Sequence, residues 1–360
     1  GFDANGVTMA RLSTPTLNYV AAEGHLGCAG ISWSTVEGAD GYYVYRKGGS
    51  LSDYEWKLIA DVQGGYSNYY TDVTSTSTNW SYNYTVVAYK GASRSSYNPG
   101  GLEFNYMNAP VLSYAVSDPY GVYVEWQNNS RRTQGYNIYR KTWNTDWEYL
   151  GTTTNTGYTD ATATSGVDYI YTVVGYCETN TSAYSDSGIS IRYVATPHLN
   201  SVSFDEYNTA VVSWNYVGGA DRFQVFRKLS YENTWTFIGD AYETVYYDSI
   251  EKVSGETYTY TVIACSGIYN SGFDIWGVSG CFLAAPTVNT SNVYYWDTPS
   301  VQVDWNYVNG ATKYDVYRCD YGVYNWVRIA EGLTANSFVD HTANAYGGYS
   351  YAVIASNGYA

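Results

Sequence analysis

The sequence predicts an all-β chain of four tandem repeats, on three observations. A stretch of alternating residues, Gly41-Tyr42-Tyr43-Val44-Tyr45-Arg46-Lys47, returns at 135–141, at 222–228 and, one residue shorter, at 313–318. A second block, Tyr82-Asn83-Tyr84-Thr85-Val86-Val87-Ala88, returns from Tyr169, Tyr258 and Tyr349. Tyrosine dominates throughout, with 45 Tyr against 9 Phe and only 14% charged residues. Period-two alternation is the signature of a half-buried strand. Tyr suits such strands because it combines β propensity with an apolar ring and a hydroxyl for water or a partner. At 360 residues the chain is too long for one all-β core and fits a repeat near 90 residues.

In chain order, residues 7–14 read as a strand running into Pro15, and they match the ends of later repeats. Residues 102–108 lead to Pro110, residues 189–194 to Pro197 and residues 278–283 to Pro286. Proline stops ladder hydrogen bonding and fixes φ, so each repeat closes on a strand and a hinge. Next comes a strand carrying Ile31-Ser32-Trp33, with Trp126, Trp214 and Trp305 in the same place, one buried indole per repeat. A turn of the type Val36-Glu37-Gly38-Ala39-Asp40 precedes the alternating stretch. Trp56, Trp147, Trp235 and Trp326 mark a further strand. After them comes an aromatic-x-Asp corner ending in Asp72, Asp160, Asp248 and Asp340. The block from Tyr82 is the last strong strand.

This set resembles the fibronectin type III family: a proline-led start, Trp on the second strand, a Tyr-x-Val strand and a late Tyr-x-Tyr-x-Val-x-Ala strand. The resemblance covers nearly the whole chain. It implies an immunoglobulin-like seven-strand β-sandwich per repeat in a linear rod, with Tyr82, Tyr169, Tyr258 and Tyr349 at tyrosine-corner positions. It also suggests a bacterial extracellular or surface protein. No Arg-Gly-Asp tripeptide is present, so integrin binding is not carried over. The expected division is 1–14, a final strand belonging to a preceding or neighbouring domain; 15–108; 109–195; 196–284; and 285–360, a repeat without its last strand.

The two ends of the sequence fit each other. Gly1-Phe2-Asp3-Ala4-Asn5-Gly6-Val7 matches Gly272-Phe273-Asp274-Ile275-Trp276-Gly277-Val278 of repeat three. Two explanations stand: the chain is one period of a longer array, or each chain lends its first strand to the last sandwich of its neighbour. An incomplete sandwich exposes unpaired backbone and apolar residues. The expected polymer interface is therefore Val7, Met9 and Leu12 on one side and Tyr351, Val353 and Ala355 on the other.

The net charge of −15 argues against nucleic acid, whose affinity rests on clustered cations. No run approaches 18 apolar residues, so no membrane insertion is expected. His25, His198 and His341 occupy unrelated places, without metal spacing or a nucleophile motif, so no enzyme activity, metal or cofactor is expected. The corner Asp residues read as turn caps. The repeated Arg46, Arg140, Arg227 and Arg318 read as lying over the second Trp set rather than as ligand anchors. Cys28, Cys177, Cys265, Cys281 and Cys319 occupy no repeated position, and the strands of Cys265 and Cys281 put that pair out of register, so free cysteines are expected. Asn79, Asn83, Asn128, Asn180 and Asn289 stand in glycan-acceptor tripeptides. The leading functional expectation is a non-catalytic extracellular stalk, spacer or fibre subunit, partnered head to tail with itself or with adjacent domains of an array. The alternative is a glycan-binding accessory array. For that reading Trp80, Trp143, Trp276 and Trp296 are the tryptophans outside the repeated sets.

Overall fold

A computed structural model describes residues 11–50, 53–76, 81–178, 180–205, 207–295, 298–344 and 346–358. It is all β. Repeat one contains β1 (Leu17–Glu23), β2 (Cys28–Trp33), β3 (Gly41–Gly48), β4 (Lys57–Gln63), β5 (Tyr69–Asp72), β6 (Ser81–Lys90), β7 (Ser93–Arg94) and β8 (Leu102–Asn105). One sheet runs β1-β2-β5. The other runs β4-β3-β6, and both β7 and β8 pair with β6. The expected seventh strand is thus split in two. The break ends at Gly101, whose φ of 66° suits glycine; Gly188 and Gly277 repeat it at 60° and 62°.

Repeat two follows the same plan with β9 (Val111–Asp118), β10 (Gly121–Gln127), β11 (Gly135–Lys141), β12 (Glu148–Thr153), β13 (Gly157–Asp160), β14 (Asp168–Cys177), β15 (Asn180–Thr181) and β16 (Ile189–Arg192). Repeat three has β17 (Leu199–Phe204), β18 (Ala210–Trp214), β19 (Arg222–Leu229), β20 (Thr236–Ala241), β21 (Val245–Asp248), β22 (Thr257–Ser266), β23 (Tyr269–Asn270) and β24 (Val278–Cys281). Repeat four has β25 (Val288–Tyr295), β26 (Thr298–Trp305), β27 (Lys313–Asp320), β28 (Val327–Leu333), β29 (Ser337–Asp340) and β30 (Tyr349–Ser356). Its second sheet stops at β28-β27-β30, and among the described residues β30 pairs with β27 alone.

The first Trp set fills the cores as the alternation requires. Trp33, Trp126, Trp214 and Trp305 are buried, and each meets the ring that follows on the organising strand. The centroid distances are 5.5 Å to Tyr42, 5.3 Å to Tyr136, 5.3 Å to Phe223 and 5.5 Å to Tyr314. The tyrosine corners form where the resemblance put them. The Thr164, Val253 and Asn344 amides donate to the hydroxyls of Tyr169, Tyr258 and Tyr349, each five residues on. The matching contact of Tyr82 falls outside the described residues.

The chain divides into two compact units, the division falling between Tyr193 and Val194. In the first unit the Asn180 side chain ties the two repeats together. It accepts from the Ala22 amide at 2.9 Å and donates to the Asn105 carbonyl at 2.6 Å. The β1–β2 turn sits against the same hairpin: Tyr184 donates to the His25 carbonyl, and a Cβ on Gly27 would lie 2.6 Å from the Ala183 nitrogen. In the second unit, Asn309 and Ser254 exchange hydrogen bonds at 2.8 and 2.9 Å.

Residues just ahead of two of the prolines pack with the sandwich that follows. Val194 belongs to the core of repeat three, and Leu283 packs on the core of repeat four. Packing therefore places both residues in the following sandwich, slightly ahead of the boundaries that the sequence put at 196 and 285.

Candidate interaction surface

The residues that recur most strictly meet at one point in each sandwich. Arg46 shares the parity of Tyr42 and Val44, so it faces inward from β3. Its Nη1 donates to Asp72 Oδ2 at 2.7 Å, and the Tyr84 hydroxyl donates to the same oxygen at 2.8 Å. Asp72 Oδ1 accepts from the amide and hydroxyl of Thr74, which is the turn cap read from sequence. The set repeats as Arg140–Asp160–Tyr171, Arg227–Asp248–Tyr260 and Arg318–Asp340–Tyr351, with every carboxylate 2% exposed.

Burial pushes these carboxyls up, but the hydrogen bonds they accept outweigh it and hold all four below the ordinary Asp range. Burial, together with the neighbouring carboxylate, pushes Tyr84, Tyr171, Tyr260 and Tyr351 well above the usual phenol. Repeat three departs in one detail. Ile250 stands where the other repeats have a capping Thr, and a buried Lys252 donates to the carbonyls of Asp248 and Ile250.

The expectation that the arginines cover the second Trp set is overturned. They stack instead over the corner rings Tyr82, Tyr169, Tyr258 and Tyr349, at 4.7–5.6 Å. The next residue reaches the tryptophans: Lys47, Lys141 and Lys228 lie 4.6, 4.3 and 4.7 Å over Trp56, Trp147 and Trp235. The cause is the strand period. Lys47 has the opposite parity to Arg46 and faces outward. In repeat four Cys319 takes the lysine's place, and Trp326 is 43% exposed.

Because the second Trp set lies on the outer face, it builds surface relief that the sequence did not reveal. In repeat one Tyr45, Trp56 and Tyr97 line a cleft of about 290 Å³ floored by Thr85 and Val87. The same positions in repeat two, Tyr139, Trp147 and Tyr184 over Thr172 and Val174, line one of about 300 Å³. A Trp beside an outward Lys was the available signal.

The far edge of β30, which has no ladder partner among the described residues, is the other surface. Tyr84, Tyr171 and Tyr260 are fully buried, whereas their equivalent Tyr351 is half-buried. Ile354 is 54% exposed, although its equivalent Val87 is buried. A cleft of about 440 Å³ lies alongside, lined by Asn292, Val293, Val301 and Tyr349.

Of the residues expected at a polymer interface, Val7 and Met9 lie outside the described residues. Leu12 is half-buried against the core of repeat one, as Leu283 is against that of repeat four, whereas Val194 is fully buried in that of repeat three. Val353 is buried, and Tyr351 and Ala355 pack on the repeat-four core. Among the acceptor tripeptides, Asn128 and Asn289 are exposed, Asn83 is half-buried in β6 and Asn79 lies outside the described residues. Asn180 does not stand free for a glycan, since both ends of its amide are engaged between repeats. Trp143 and Trp276 are exposed; Trp80 and Trp296 lie outside the described residues.

All five cysteines are free thiols. Cys265 pairs in the ladder with Asn270 and Cys281 with Thr257, at opposite ends of β22. Among the described residues no three His, Cys, Asp or Glu side chains stand where they could hold a metal.

No protein-family model matches the chain, and no curated protein matches it in sequence. A solved structure similar to it is that of the chicken CNTN1 FN1–FN3 domains. The two are 12% identical, with a TM-score of 0.23, and the match covers 75% of this chain and 98% of that one. The repeated two-sheet sandwich described above rests on the strand pairing itself.

Proposed function

We propose that the chain is a non-catalytic structural protein, secreted or displayed on a bacterial surface, serving as a stalk, spacer or fibre subunit. What supports this is where its recurring residues go. The first Trp, the Arg, the Asp and both block tyrosines are engaged inside each sandwich or against its corner, so among the described residues these recurring side chains serve the fold. In the finer form of the reading, chains join head to tail, and residues 1–14 of one chain complete the fourth sandwich of another. Negative-stain electron microscopy over a concentration series tests it. Extended filaments that lengthen with concentration are expected; discrete particles at every concentration would leave the spacer reading and sink the fibre.

A second reading, a glycan-binding array, is favoured by the equivalent clefts of repeats one and two. Aromatic rings together with Thr and Val in the lining suit the C–H faces of uncharged sugars. A glycan screen with the full chain and with Trp56→Ala/Trp147→Ala decides it: retained signal in the double variant removes the clefts from consideration.

A further inference from the structure

We infer that the cleft beside Trp147 is a composite site, completed by repeat one, so that an uncharged oligosaccharide held there stiffens the joint between the first two repeats. The inference rests on the glycan reading and adds what that binding would regulate.

The two equivalent clefts differ in which repeats build them. Every residue lining the first, Trp56 among them, belongs to repeat one. The second takes Tyr139, Trp147 and Tyr184 from repeat two, but Ala22 and Gly24 come from repeat one, at the end of β1 and in the turn after it. Gly24 has a φ of 59°, and a Cβ placed on it would meet nothing within 4 Å. Repeat one therefore borders this cleft with bare backbone and leaves room beside it.

Charge separates the clefts as well. Arg94 lines the first, lying 4.8 Å over Tyr43 and 5.2 Å over Tyr89. Thr181 takes its place in repeat two, since Arg94 faces Tyr89 in the ladder and Thr181 faces Tyr176. Among the described residues no charged side chain lines the second cleft; Lys141 rests on Trp147 without entering the lining. A carboxylate or sulfate brought there would lose hydration without gaining a partner. The lining therefore selects a neutral sugar.

Joint and cleft share one short stretch of chain, residues 180–184. On the joint side Asn180 ties the Ala22 amide to the Asn105 carbonyl, and the Ala183 and Tyr184 amides donate to the Met107 and His25 carbonyls, each at 3.0 Å. On the cleft side Thr181, Ser182 and Tyr184 are lining residues. The Tyr184 ring serves both, since it also meets the His25 ring edge-on at 6.4 Å. A ligand that touches Ala22 and Gly24 as well as Trp147 binds the formed joint better than an opened one. By linkage the bound ligand favours the formed joint by the same factor.

Calorimetry and hydrogen exchange on the full chain test this, with a panel of neutral gluco-, manno-, galacto- and xylo-oligosaccharides as probes. Trp56→Ala serves as the background, so that the second cleft alone is read. The expected result is binding that a further Trp147→Ala removes. Saturation with the bound sugar is expected to slow exchange at the Ala183 amide, which lies outside the lining, by about fivefold or more, the low end of coupling between sites. Exchange in the β13-β10-β9 sheet should stay unchanged. Gly24→Asn keeps a residue that tolerates positive φ and adds a side chain at the border. It is expected to weaken the Trp147-dependent binding by about the same factor or more. Trp147-dependent binding with Ala183 exchange unmoved, or with Gly24→Asn binding unchanged, would overturn the inference and keep the glycan reading. A panel with no Trp147-dependent and no Trp56-dependent binding would overturn both.

Discussion

Tyr351 donates to Asp340 across 2.8 Å, as its three counterparts do to theirs, yet it alone of the four is not fully buried. The same hydrogen bond is therefore made in two environments within one chain. Where water cannot substitute, losing a bond to a buried carboxylate costs about 1.5–3 kcal/mol. Tyr84→Phe is expected to destabilise repeat one by that amount and Tyr351→Phe to cost repeat four well under half of it. Hydrogen exchange read repeat by repeat makes the comparison, since four sandwiches do not unfold as one two-state system. Equal protection losses in the two variants would contradict the difference in burial.

Acid and alkali are expected to attack the same network from opposite sides. The four Asp residues titrate below their unfolded value of about 3.9. Their contribution is complete above that value and is lost as pH falls through the depressed native values. The network tyrosines titrate above their unfolded value of about 10. Their contribution is complete below that pH and declines as pH rises past it. Chemical denaturation across pH should show a plateau between these limits, and Asp160→Asn should flatten the acid limb for repeat two.

Asn180 is expected to remain unmodified when the chain is made in a glycosylating host, whereas Asn128 and Asn289 are available to the enzyme. Peptide mapping by mass spectrometry reads occupancy directly. Asn180→Ala removes two hydrogen bonds between repeats and should cost about 1 kcal/mol for each. Faster exchange at the Ala22 amide, with the cores of both sandwiches unchanged, is the expected signature.

Much of this architecture was legible because it recurs. Tryptophan on the second strand and the corner tyrosines both follow from aligning the chain with itself. Parity was the point of failure. Arg46 and Lys47 are adjacent, and pairing the wrong one with Trp56 hid the outward clefts beside that indole. Asn180 was unreadable for another reason. Its partner amide at Ala22 is 158 residues away, and no local pattern encodes a contact at that range.

The apolar residues ahead of the prolines have a consequence for anyone dividing the molecule. Val194 and Leu283 precede Pro197 and Pro286 in the chain yet are plugs in the sandwiches that follow. A fragment begun at Pro197 or Pro286 would leave its plug behind and uncover a core otherwise sealed. Within the second compact unit, losing the end of repeat three at Leu283 would weaken repeat four, so that stability passes between these two as in a one-dimensional lattice.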